Sequence, residues 1–321
     1  MCSSDLHMAS ALPIRPFRFG IQASNAPSRA AWVDLARRAE GNGFSVLTMP
    51  DHFGDQLAPV PAMMTAADVT TTLRVGALVF DNDYKHPVVL AKELATMDLL
   101  SDGRTEVGLG AGWMISDYEQ AGMPYDAAGV RIDRFLEGLH IIRRSFEAGT
   151  FSHSGTHYTI TDYEGFPKPA QAKVPVLIGG GGKRVLGIAA READIVGINA
   201  TLHAGRIGPE AIATMTAAAV DEKVGIVKAA AGDRIADIEM NVRTFMVNVT
   251  DDGASARAGI ASMLGVDTDM IENTPFAVIG SANEIVERLL ERRERWGFSY
   301  IIVGQEDVDS FAPVVAQLAG R

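Results

Sequence analysis

Short apolar runs begin at positions 17, 44, 73 and 104, roughly thirty residues apart, and a helical pattern fills each interval. That pace is the length of one strand, one covering helix and their turns, and it makes consecutive strands parallel. Further runs at 174–180, 194–199, 239–249 and 299–304 join those at 17–24, 44–49, 73–80 and 104–112, making eight. Most are apolar on both faces, as parallel strands are when helices cover them or a barrel encloses them. The intervals lengthen at 113–130, 151–173 and 251–280. The expected fold is α/β, a (β/α)8 TIM barrel with insertions at the C-terminal face of the strands. A doubly wound open sheet is the competing architecture, but its phosphate fingerprint is missing after the first strand.

Helix signals support the spacing. Trp32, Leu35, Ala36 and Ala39 form one apolar stripe, with Ser28 as the expected cap. His86-Pro87 opens another helix with proline in its first position. Near the end, Glu284–Arg288 and Glu291–Arg295 are spaced for i,i+4 ion pairs. No linker or charge block divides the chain, so 13–321 is expected to form a single domain. Residues 1–12 lack the basic start and apolar stretch of a secretory signal. Cys2-Ser3-Ser4-Asp5-Leu6 back-translates into a sequence resembling a common sequencing-library adapter. Residues 1–12 are therefore read as a non-native or disordered extension, and Cys2 carries no functional weight.

Forty acidic residues against twenty-nine basic ones give a net charge of −11, which argues against wrapping nucleic acid. No apolar run approaches the roughly 18 residues of a membrane span. One cysteine cannot form an internal disulfide, so a cytoplasmic location is expected.

Barrel enzymes work at the C-terminal ends of their strands, so those ends carry the chemistry. The first strand ends near Gln22, the second in Met49-Pro50-Asp51-His52, and the third in Phe80-Asp81-Asn82. The fifth runs into Gly179-Gly180-Gly181-Gly182-Lys183-Arg184, followed by a helix. Four glycines let a ligand approach the backbone, and the helix start offers free N–H groups to a phosphate. Lys183 and Arg184 stand where they could add contacts; the alternative is a flexible strand-to-helix turn. Gly108-Leu109-Gly110-Ala111-Gly112 is similarly small, leaving room for a flat ring with Trp113 and Ser116 at its margin. Tight helix–barrel packing is the alternative there. His52 is the candidate acid/base group, because imidazole exchanges protons near neutral pH; a packing role is its alternative. No strand end offers a metal-ligand cluster. His153 and His157 flank Ser154-Gly155-Thr156, which reads as an exposed hairpin.

In this order the motifs resemble the bacterial luciferase-like monooxygenase superfamily, particularly its deazaflavin (coenzyme F420)-dependent oxidoreductases. The resemblance runs over nearly the whole chain from Phe17. It rests on Met49-Pro50-Asp51-His52, the helix start His86-Pro87-Val88-Val89-Leu90-Ala91-Lys92-Glu93, Glu106 through Trp113, Gly129-Val130-Arg131-Ile132-Asp133-Arg134, and Leu177 through Arg184. It implies F420, or alternatively FMN, at the barrel mouth, with its phosphate at the glycine loop and His52 near the reactive ring edge. Asp51 is then a cofactor contact or a support for His52, with a helix-entry cap as its alternative role. A non-prolyl cis peptide behind the ring is implied near Ala77–Leu78. The implied activity is hydride transfer to or from a small organic substrate. An FMN-dependent two-component monooxygenase and a non-catalytic cofactor-binding barrel are the alternatives. A homodimer is expected, as is a flavin or F420 reductase as electron source. Similar sugar-phosphate dehydrogenases carry an acidic residue after the fourth-strand glycines. Trp113-Met114 stands there instead, so a sugar-phosphate substrate is not expected. Asp117, Tyr118, His203 and Arg206 in the insertions are the residues placed to shape specificity.

Overall fold

The eight apolar runs become Arg18–Gln22, Val46–Met49, Arg74–Ala77, Thr105–Gly110, Val176–Gly180, Ile195–Ile198, Glu239–Arg243 and Phe298–Gly304 in a computed structural model. It describes residues 12–202 and 205–321. The strands pair in parallel in chain order, and the eighth returns to the first in a register running from Arg18↔Tyr300 to Gln22↔Gly304. The sheet is thus a closed (β/α)8 barrel. The expected N-terminal extension lies almost wholly outside the described residues, as does His203; Leu12 packs on the core. No helix among the described residues is long and apolar enough to cross a membrane.

Two runs are not the single strands expected. The run at 73–80 breaks after Ala77, and Phe80–Asp81 rejoins the fourth strand opposite Leu109 and Gly110. The non-prolyl cis bond in the break is Leu78–Val79, one residue beyond the expected Ala77–Leu78. The ladder explains the offset: Ala77 still pairs with Met49, and Leu78 N donates to Met49 O at 2.7 Å. The run at 239–249 also divides. Thr244 N and Oγ1 both donate to Ile302 O, which ends the barrel pairing. The chain then leaves the barrel, and Met246–Val249 forms a separate parallel pair with Ala277–Gly280.

Side-chain alternation sorts the core into two layers. Outward Phe19, Ile21, Leu47, Val75, Val107, Ile178, Val196 and Val303 pack under the helices in the main apolar cluster. The enclosed cluster is smaller: Val46, Leu177, Ile195, Tyr300 and Ile302, with Leu78 and Val79 against it. Its lower end is closed by charge. Arg18 reaches Glu106 at 2.6 Å and Glu239 at 2.7 Å, Arg74 reaches Glu106 at 2.9 Å, and the Arg18 guanidinium lies 3.6 Å from the Tyr300 ring centre. The upper end is open by composition. By the same alternation its inward residues are Gln22, Gly110, Gly179, Gly197, Arg243 and Gly304, so most of that layer has no side chain.

The covering helices start where their caps predict. Ser28 Oγ accepts from Ala31 N ahead of Arg29–Gly41, and His86 precedes Pro87–Leu100. Ser281 and Glu284 form a reciprocal capping box at Ala282–Trp296. The ion pairs expected within that last helix are replaced by longer-range ones: Arg288 bonds Glu272 and Arg295 bonds Asp221. The insertion after the fourth strand holds the helix Ile115–Ala121 ahead of the long Ala128–Phe146. Beyond it, Phe151–Ser154 and Thr159–Tyr163 form an antiparallel hairpin, in which His153 Nε2 bonds Glu137 at 2.9 Å.

Candidate functional site

The second strand ends at Met49, and Pro50 leads the chain onto the rim with Asp51 and His52. His52 Nδ1 meets Asp117 Oδ2 at 2.7 Å, and Tyr84 OH donates to the same oxygen at 3.0 Å. Asp117 is almost fully covered, whereas the His52 side chain remains 24% exposed. A carboxylate at Nδ1 selects the Nδ1–H tautomer of the neutral ring and leaves Nε2 as the nitrogen that accepts a proton. The Trp113 ring stands edge-on to the imidazole, with centroids 5.7 Å apart. Ser116 lies half-buried in the helix that carries Asp117.

Asp51 faces the neighbouring strand end. Its Oδ2 accepts from Asp81 N at 3.2 Å, tying the second strand to the third, and burial raises its carboxyl above the ordinary range. Asp81 accepts from Tyr118 OH at 2.9 Å and from Asp83 N at 2.9 Å. Burial, reinforced by the nearby charges of Asp83 and Asp51, pushes the Asp81 carboxyl up to about 7. Gly112 is required here: it has φ +72°, and a Cβ on it would fall 1.9 Å from Tyr118 Oη. The carbonyls of Ala111 and Gly112 are gathered by Arg131 at 3.3 and 3.4 Å.

The fourth-strand glycines also answer to the third strand. A Cβ on Gly108 would meet Ala77 O at 1.8 Å, and one on Gly110 would meet the Val79 side chain at 2.7 Å. They admit the break at Leu78–Val79. Leu78 O accepts from Gln22 Nε2 at 3.2 Å, and Gln22 Oε1 accepts from Arg243 Nε at 2.9 Å. A polar chain therefore runs from the seventh strand through the first to the third.

The glycine loop divides into two kinds of position. A Cβ on Gly181 would fall 2.3 Å from Ala200 O, so packing alone demands that glycine. Gly182 has nothing within 4 Å of such a Cβ, and Gly179 has only the Val79 side chain, at 3.9 Å. Helix Lys183–Glu192 follows Gly182 without a side-chain cap, and its first backbone bond is Leu186 N to Gly182 O. The N–H groups of its first turn are therefore available to an anion. Lys183 is exposed beside them. Arg184 turns away to Gly129 O at 3.1 Å and to the Asp133 carboxylate, bracing the loop against the long helix.

Three side chains at this end were not singled out by sequence reasoning. Tyr84 and Arg243 lacked a local motif. Asp81 was visible as a strand end, but its link to Tyr118 depends on how the insertion folds back. Asp117 and Tyr118, expected to shape specificity, hold His52 and Asp81.

The luciferase-like monooxygenase family model matches residues 12–300. Among curated proteins, an F420-dependent glucose-6-phosphate dehydrogenase of Amycolatopsis mediterranei (strain U-32) is 29% identical over 170 residues, 50% of this chain and 51% of that protein. A protein of the same name from Microbacterium testaceum (strain StLB037) is 27% identical over 190 residues, covering 56% and 55%. The chain spans about half the length of these curated relatives. Among solved structures, the F420-dependent tetrahydromethanopterin reductase of Methanopyrus kandleri superimposes with a TM-score of 0.75 at 19% identity, over 95% of this chain and 98% of that one. A monooxygenase from Streptomyces bottropensis gives 0.71 at 21% identity, over 94% and 97%. These structures share the barrel, and the family match covers nearly all of it: the chain belongs to the luciferase-like monooxygenase family.

Proposed function

We propose that this protein is an F420-dependent oxidoreductase that moves a hydride between a deazaflavin and a small organic substrate. The observation that carries the reading is the His52–Asp117 pair on the rim of a bowl lined by inward glycines. Two curated relatives named as F420-dependent dehydrogenases support the choice of cofactor. A deazaflavin, when bound, supplies or accepts the hydride at the ring carbon that replaces the flavin nitrogen.

The residues present fit such a group. The open position at Gly182 and the uncapped first turn after it suit a phosphate, and the missing side chain at Gly179 leaves space for a planar ring. Asp117 holds the imidazole, Tyr84 holds Asp117, and His52 Nε2 is the atom that gives or takes the accompanying proton. Trp113 beside His52 makes that wall aromatic. It stands where an acidic residue is expected in a sugar-phosphate dehydrogenase, so a less polar substrate is favoured. The solved monooxygenases of the same fold favour a second reading, in which the bowl takes reduced FMN.

Anaerobic titration with coenzyme F420 and with FMN separates the two. Tight F420 binding with an altered absorbance band supports the deazaflavin reading; FMN binding without F420 binding rejects it.

A further inference from the structure

Arg243 ends the seventh strand with its side chain on the enclosed side of the barrel, in the glycine-rich upper layer. Its Nε is committed to Gln22 Oε1 at 2.9 Å. Its Nη1 is fully buried and has no hydrogen-bond partner among the described residues. Glu306 and Asp307, just beyond the eighth strand, attract it without bonding to it. Burial accordingly pulls the guanidinium below its ordinary range, and burial with the charge of Glu306 raises the Asp307 carboxyl to about 6.

A guanidinium that only braced Gln22 would gain nothing from burying an unpaired donor, which is costly. The geometry suits a second task. Gly304 lies between the seventh and first strands on the same inner face, and the Glu306 carboxylate reaches back over it, with an oxygen 2.2 Å from where a Cβ would sit. The neighbouring Leu78 carbonyl is already taken by Gln22, and the acidic groups Asp51, Asp81 and Asp117 are tied up on strands two to four and the insertion beyond them.

We propose that Arg243 Nη1 is a binding position for an acceptor oxygen, carbonyl or anionic, on a molecule held in the barrel mouth. This rests on the reading of the mouth as a cofactor and substrate site. The oxygen has two sources, a ring carbonyl of the cofactor or a carboxylate or carbonyl of the substrate. The same donor chemistry serves both.

Calorimetric titration of the wild type, Arg243→Gln and Arg243→Lys tests the assignment, with thermal melts to establish folding. Arg243→Lys keeps the buried charge but loses the planar fork that reaches Gln22 and a ligand together. The probes are coenzyme F420, FMN and acetate. If the oxygen belongs to the ring, Arg243→Gln loses on the order of tenfold in affinity for whichever ring the wild type binds, and the bound ring's absorbance shifts. If it belongs to the substrate, ring affinity is kept while acetate binding to the ring-loaded protein falls on the order of tenfold. Should Arg243→Gln fail to fold, the same losses are read on Arg243→Lys. Ring and acetate affinities that match the wild type overturn the assignment, as does unchanged ring affinity where the wild type binds no acetate. A wild type that binds neither ring overturns the proposed function instead. Acetate titration of the protein alone then decides Arg243: weaker binding in the variant supports its role, and equal or absent binding rejects it.

Discussion

His52 and Asp117 meet at 2.7 Å although 65 positions separate them, one on the rim of the second strand and the other in the insertion after the fourth. The contact fixes which imidazole nitrogen faces the open site. Asp117→Asn keeps the shape but removes the charge that stabilises the imidazolium. Turnover should fall on the order of 10–10²-fold. His52→Gln should fall at least as far. Single-turnover absorbance of the bound cofactor reads the step, and wild-type hydride-transfer rates in both variants would remove His52 from the proton transfer.

The glycine loop yields a split. Gly182→Val should weaken cofactor binding with little change in melting temperature, because a side chain there meets open space. Gly181→Val should lower the melting temperature whether or not cofactor is present, because Ala200 O stands in its way. Equal cofactor affinity in Gly182→Val and the wild type would move the anion site elsewhere.

Asp81 makes stability depend on pH. Its folded carboxyl titrates at about 7, well above the roughly 3.9 of an unfolded aspartate. Between those values the native state keeps a proton that the unfolded chain has released, so this group's contribution is full at acid pH. It is lost as pH climbs towards 7 and is flat above. The slope is at most about 1.4 kcal/mol per pH unit. Asp81→Asn should flatten the dependence, as urea unfolding at pH 5, 6, 7 and 8 would measure; parallel curves for the two proteins would refute it.

Below the site, Glu106 receives both Arg18 and Arg74 with 6% of its side chain exposed. Glu106→Gln leaves two half-buried guanidinium groups with one fewer countercharge. Unfolding free energy should fall by about 2–4 kcal/mol. Chemical denaturation measures it, and a loss under half a kcal/mol would mean that solvent already screens the cluster.

The barrel was legible because its rule is local: each strand and helix declares itself within one interval. The helix starts at Ser28 and His86 and the rim position of His52 follow from short motifs of that kind. What escaped depends on strands meeting at a distance. The offset of the cis bond to Leu78–Val79 is set by Met49 on the neighbouring strand. Glycines read as ligand space at 108, 110 and 181 answer first to backbone or side chains that approach from other segments. Arg288 and Arg295 had partners at helical spacing and chose Glu272 and Asp221, which no local pattern connects to them. Arg243 gave no signal because its meaning lies in Gln22, 221 positions away.

The charged plug formed by Arg18, Glu106, Glu239 and Arg74 has a kinetic corollary. A barrel sealed at its base has one doorway, and everything that enters must leave the same way. Two guests sharing that passage form a queue: the one seated nearer the floor arrives first and departs last. On the proposed function, a ring seated deeper than the substrate binds first, and steady-state patterns should be those of compulsory order, with the later arrival trapping the earlier one.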